Sequence, residues 1–262
     1  MNFKRLITWL DDTKRKRDSP SITPLFGELL DYLNIPLLSE TPISRSSLVD
    51  ALAETRGIKN LWENSIRTPV YVVNMLNLVG FEQEEMQDYA LAGLLHDLGK
   101  TLHPEVYNSW GDWDHKKNRI MIQHPLDSQR MILKLIPSNP TIANMALFHH
   151  YTSRGYPANL NLTPREVFGG TLIDIADVYD ASFHRHPIKI KGKIRTPREI
   201  LELFFGKTTL DYSDNKKCLR IPAMRLIEEM YKKSIFGEAI EGNPSIPEVP
   251  GRRYFATPDE LV

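Results

Sequence analysis

The stretch Leu94-Leu95-His96-Asp97-Leu98-Gly99-Lys100 places an imidazole, a carboxylate and an ammonium inside an apolar run. Upstream, Glu82 to Leu98 has acids at its start and leucines on one face, which predicts a helix. Its end is therefore buried, and its polar set with it. Burying such groups is costly unless something pairs them, and a metal ion does so well. Gly99 predicts the end of the helix. Lys100 lies four residues after His96, so the two share a face only if the helix continues.

Further groups of the same kind follow at His124, His149-His150 and Asp177. Successive helical residues point about 100° apart, so a His-Asp or His-His pair converges on one centre only where a helix ends or bends. Both pairs sit at such places: His96-Asp97 before Gly99, and His149-His150 before a loop. Asp177 lies mid-helix among apolar neighbours, where a carboxylate must face something positive.

Outward from this region, helical periodicity dominates. Leu25, Leu29, Leu30 and Leu33 give a short amphipathic helix, and Ser44 caps a second that runs to Gly57. Residues 60–79 read as a helix, with Pro69 as a complication inside it. Residues 101–118 read as a polar, aromatic loop with Trp110 and Trp113. Ile120 to Ile136 follows as one helix or two, with Pro125 near its start, and Thr141 to His149 as another. Residues 151–164 form a loop, and Thr163-Pro164-Arg165-Glu166 opens a helix that runs to Phe183 and carries Asp174, Asp177 and Asp180. Almost nothing reads as strand, so the fold class is all-α. The expected organisation is an N-terminal helical segment (1–58), a central domain (59–206) and a C-terminal helix with a proline-rich tail (207–262).

Bulk composition narrows the function. The 33 basic and 33 acidic side chains cancel, which removes the simplest electrostatic case for nucleic-acid or membrane-surface binding. The lone Cys218 excludes an intrachain disulfide and fits a reducing compartment. No stretch approaches the ~20 apolar residues of a membrane helix, and no targeting signal is evident. The expectation is a soluble, cytoplasmic protein.

His96-Asp97 with Gly99-Lys100 and a later Asp177 resembles the HD-domain metal-dependent phosphohydrolases. His124-Pro125, His149-His150, Gly155-Tyr156-Pro157 and Asp177-Val178-Tyr179-Asp180-Ala181 are similar to the HD-GYP branch, which hydrolyses cyclic dinucleotides at a binuclear metal site in a helical bundle. The resemblance covers residues 60–206. It implies that His96, Asp97 and Asp177 hold one divalent transition metal, and that His124, His149 and His150 hold a second with Asp97 bridging. Iron, manganese or zinc suits such ligands better than magnesium or calcium. The chemistry implied is hydrolysis of a phosphate ester or nucleotide, such as cyclic di-GMP, by a metal-activated water. Asp97 and Lys100 would be catalytic. Lys100, Arg154 and Tyr156 would meet substrate.

Four positions depart from the family pattern. Asn64 stands where the family supplies a histidine, and asparagine is a poor ligand for such metals. Tyr151 replaces an acidic residue, the spacer to Gly155 is two residues shorter, and Arg185-His186-Pro187 replaces an expected arginine. Two functional readings therefore stand: a metal-dependent nucleotide phosphodiesterase, with one or two metals per chain, and a degenerate nucleotide-binding or signalling module without turnover. Residues 1–58 are a further candidate, for docking a protein partner.

Overall fold

The computed structural model describes residues 45–58, 60–78, 81–109, 115–150 and 160–180. Every regular element among them is helical. Helix α1 (Arg45–Ala53) runs into a 3₁₀ turn at Glu54–Gly57. Then come α2 (Leu61–Leu78), α3 (Gln83–Leu95), a 3₁₀ turn at Leu98–Leu102, α4 (Pro104–Asn108), α5 (His115–Leu135), α6 (Pro140–Phe148) and α7 (Pro164–Asp180). No helix among the described residues is long and apolar enough to cross a membrane. Residues 1–44, the Trp110–Trp113 segment, Arg154, Tyr156 and everything after Asp180 lie outside the described residues.

The core lies where α2 packs on α3 and α7, α6 packs on α3, α5 and α7, and α5 packs on the second 3₁₀ turn. Val72, Leu76, Leu94, Leu95, Ile132, Met145, Leu172 and Ile175 are buried there. Phe81, Tyr89 and Phe168 pack as an aromatic trio, with ring centroids 5.9 to 6.2 Å apart. Gly169 and Gly170 let α7 approach α6 closely. A Cβ on the first would lie 2.5 Å from Met145 Sδ, and one on the second 2.6 Å from Phe148 Cβ. A methyl at Gly169 would displace the flexible end of Met145, whereas one at Gly170 would also press on Met145 O at 2.9 Å and force a shift in a close-packed interior.

Helix starts follow the sequence cues. Glu82 and Glu85 form a reciprocal capping box at α3, with Glu82 N donating to Glu85 Oε2 at 2.7 Å. Thr163 and Glu166 do the same at α7, and Pro164 takes the first helical position. Asn144 Nδ2 then donates to Glu166 Oε1 at 2.6 Å, tying the start of α7 to α6.

Three expectations need correction. Helix α3 stops at Leu95 rather than Leu98, and the chain continues as a 3₁₀ turn through Gly99. Gly99 is small for packing reasons: a Cβ there would lie 2.6 Å from Ser128 N and closer still to His124 O. The segment 101–118 is not simply a loop, because Pro104 starts the short α4 with Glu105 in its first turn, and α5 already begins at His115. Pro125 consequently lies in the interior of α5 rather than near its start.

Candidate metal centre

Residues from four elements meet at one buried point. His96 closes α3, Asp97 begins the 3₁₀ turn, His124 lies in α5, and His149-His150 follow α6. His96, Asp97, His124 and His149 are at most 2% exposed. Asp97 adopts φ −103° and ψ 9°, the sparsely populated bridge region in which many active-site residues sit.

The three most buried histidines are held in the same way. His96 Nδ1 faces Gly93 O at 2.7 Å, His124 Nδ1 faces Met121 O at 2.5 Å, and His149 Nδ1 faces Ala146 O at 2.5 Å. Each contact is to the carbonyl three residues earlier, and each has a local cause. Gly93 and Ala146 are among the last four residues of their helices, whose carbonyls lack helical donors. Met121 O sits four residues before Pro125, which has no N–H to offer it. The proline thus makes an acceptor vacancy inside α5, and the neighbouring imidazole fills it. An Nδ1–H given to a carbonyl fixes the tautomer that turns a bare Nε2 outward.

Those Nε2 atoms converge. His124 Nε2 and His149 Nε2 are 3.3 Å apart, and Asp97 Oδ1 lies 3.1 Å from the first and 3.6 Å from the second. An ion with tetrahedral bonds of about 2.0–2.1 Å to nitrogen holds its donors about 3.3 Å apart. Two neutral imidazole lone pairs at this distance repel each other unless a cation lies between them. Asp97 Oδ1 and His96 Nε2 are buried and make no hydrogen bond. The donor set therefore fits a transition metal. Ligand atoms of His124, His149 and His150 lie within 4.8 Å of one another, and so do those of His96, Asp97 and His149. His149 stands in both groups, next to His96 as well as next to His124.

The remaining residues surround this cluster. Lys100 is 7% exposed, and the turn folds its ammonium back onto Asp97 Oδ2. It is not the surface lysine that a helix end would otherwise give, nor does it lie on a helical face with His96. Tyr107 packs edge-on to His124, with its ring centroid 5.7 Å from Lys100 Nζ. Asp177 Oδ1 lies 3.7 Å from His96 Nε2. His150 Nδ1 lies 3.7 Å from Asp174 Oδ1. His103 is half-exposed and His115 exposed, away from the cluster.

Asn64 is fully buried in α2, and its amide nitrogen donates to Asp177 Oδ1 and to Asp180 Oδ2, each at 3.0 Å. Asp180 is in turn paired with Arg67, Nη2 to Oδ2 at 3.1 Å and Nε to Oδ1. Asp180 therefore steadies an asparagine rather than a ligand histidine. Sequence reasoning missed Arg67, Asp174 and Tyr107. Asp174 had a readable signal, because Asp174, Asp177 and Asp180 recur every three residues along one helix face. Arg67 is one helical turn after Asn64, but nothing local marks its partner 113 residues away.

Electrostatics follow from burial and partners. Burial pushes His96 down, but the Asp97 charge and the nearby Asp177 carboxylate outweigh it and raise its pKa to about 9. Burial and the neighbouring His150 lower His149 to about 4. Burial and Lys100 lower His124. Burial works against ionised Asp97, yet His96 and Lys100 outweigh it and hold its carboxyl well below the usual range.

A family model for the HD domain matches residues 61–182. Over 107 residues the chain is 29% identical to a cyclic di-GMP phosphodiesterase of Pseudomonas aeruginosa, a match that covers 40% of this chain and 26% of that protein. The chain thus spans about a quarter of the length of that relative. No solved structure matches. The matched segment contains all of the converging side chains described above, on helices in the expected order. Residues 61–182 thus match the HD domain, a family whose members are generally metal-dependent hydrolases.

Proposed function

We propose that this protein is a metal-dependent phosphohydrolase of the HD-GYP-like branch, acting on a nucleotide phosphodiester, with a cyclic dinucleotide such as cyclic di-GMP as the first substrate to test. The carrying observation is the buried convergence of His124 Nε2, His149 Nε2 and Asp97 Oδ1, with both histidines turned inward by main-chain acceptors. The cyclic di-GMP phosphodiesterase of Pseudomonas aeruginosa supports the substrate class.

His124, His149, His150 and Asp97 would hold a divalent iron, manganese or zinc ion. When bound, such an ion supplies Lewis acidity toward water and a phosphoryl oxygen. The chain's own residues do the rest. Carbonyl-bound Nδ1 atoms keep the imidazoles from turning away. Asp97 carries fixed negative charge, because its neighbours hold it ionised. Lys100 gives one N–H to Asp97 Oδ2, and an ammonium has three, so others remain for a phosphoryl oxygen. Burial keeps bulk water from competing and strengthens each interaction. Arg154 and Tyr156 are proposed to bind substrate.

The test is hydrolysis of bis(p-nitrophenyl) phosphate and of cyclic di-GMP by protein loaded anaerobically with iron(II), manganese(II) or zinc. The expected result is turnover that Asp97→Asn abolishes. Loaded protein that hydrolyses neither compound with any of the three metals would overturn the proposal. It would favour a nucleotide-binding module without turnover, a reading that the asparagine at position 64 supports.

A further inference from the structure

The two candidate metal groups are not equivalent. They share His149, whose single Nε2 lone pair serves one ion. The group with His124 and His150 faces Asp97 Oδ1, which has no hydrogen bond. The group with His96 faces Asp97 Oδ2, where the Lys100 ammonium already sits. Asp177 Oδ1, the third donor near His96, already accepts from the Asn64 amide at 3.0 Å.

The amide is fixed in that sense. Asp180 holds its nitrogen from one side, the Thr68 hydroxyl is 3.3 Å away, and Arg67 fixes Asp180 through two nitrogens. Turning the amide over would put its oxygen 3.0 Å from carboxylate oxygens of both Asp177 and Asp180. That contact is repulsive, and Asp180 is not free to retreat from it. The observed orientation leaves Asn64 Oδ1 buried without a hydrogen bond. Such a loss is tolerated only where the nitrogen side is strongly held.

We propose that this chain holds one metal ion, between Asp97 Oδ1 and the imidazoles of His124, His149 and His150. The Asn64 amide, locked by Asp180 and Arg67, occupies the Asp177 oxygen that a second ion at His96, Asp97 and Asp177 would need, and is the group that excludes it. Asn64 is then a positioning residue that sets metal number. This inference rests on reading the cluster as a metal centre, but it does not depend on what the centre hydrolyses.

The experiment is metal content per chain, by plasma mass spectrometry, of full-length protein reconstituted with manganese(II) or iron(II), alongside His124→Gln, His96→Gln and Asn64→His. The two glutamine variants are a matched pair, each replacing a buried histidine at a similar folding cost. The wild type is expected to hold one ion, His96→Gln to keep it, and His124→Gln to lose it. Asn64→His is expected to take up a second ion. Its manganese form should then show the electron paramagnetic resonance spectrum of a coupled pair, in place of the isolated-ion spectrum of the wild type. Two ions in the wild type, none, or a single ion lost in His96→Gln and kept in His124→Gln would overturn the proposal. So would Asn64→His holding one ion, because the amide would then not be what excludes the second. A wild type with one ion and no hydrolysis would refute the phosphohydrolase reading and leave this one standing.

Discussion

Replacing Pro125 with alanine should make the metal-free protein more stable and the metal centre weaker. Proline in a helix interior costs about 3 kcal/mol relative to alanine, through its missing N–H and its clash with the preceding turn. Pro125 is buried, so the variant also loses two methylenes worth about 0.8 kcal/mol each. The net gain is about 1 kcal/mol, or roughly 2–4 °C in Tm for a chain of this size. The backbone N–H restored at position 125 would claim Met121 O, which now holds His124 Nδ1. His124 would lose the contact that fixes its tautomer, and losses of this kind typically cost about 10–100-fold in metal affinity. The assay pairs thermal unfolding by circular dichroism in chelator with competitive metal titration. A variant that binds metal as tightly as the wild type would refute the idea that the proline orients His124. A variant less stable without metal would refute the helix accounting.

Three further outcomes are expected. Gly99→Ala should destabilise the fold by about 1–3 kcal/mol, because its methyl would strike Ser128 N and His124 O; urea denaturation reads this, and a neutral result would mean that the turn can shift freely. Arg67→Met leaves Asp180 buried without its cation, which should cost about 3–5 kcal/mol by the same measurement; a loss under about 1 kcal/mol would show that Asp180 finds another partner. Stability in chelator should peak near the ordinary histidine pKa of about 6.5. Below it the unfolded chain binds protons that buried His124 and His149 refuse, so stability falls as pH drops toward about 4. Above it His96 keeps a proton that the unfolded chain releases, so stability falls as pH rises through about 9. Thermal melts across pH check this, and His96→Gln should remove the alkaline fall alone.

The local grammar of the chain was open to reading. The all-α class, the start of α7 at Thr163-Pro164 and the position of the His96-Asp97 and His149-His150 pairs at helix ends all follow from local pattern. Local pattern failed where a distant surface decided the matter. Gly99 read as a helix stop, yet its smallness serves α5, which passes against the turn. Pro125 read as lying near the start of a helix, yet it sits in the interior of α5, where proline is normally excluded. It is tolerated because its cost is partly offset by the contact that it leaves for His124.

By itself, then, the sequence determined the helices and set the His96-Asp97 and His149-His150 pairs at helix ends, because helix periodicity and terminal vacancies are properties of short segments. Only the tertiary structure decided which of them meet. It placed His149 between two groups, folded Lys100 onto Asp97, and turned the Asn64 amide nitrogen toward Asp177 through Asp180 and Arg67. Those choices depend on contacts between residues up to 116 positions apart, and no local propensity encodes the direction in which a buried amide points.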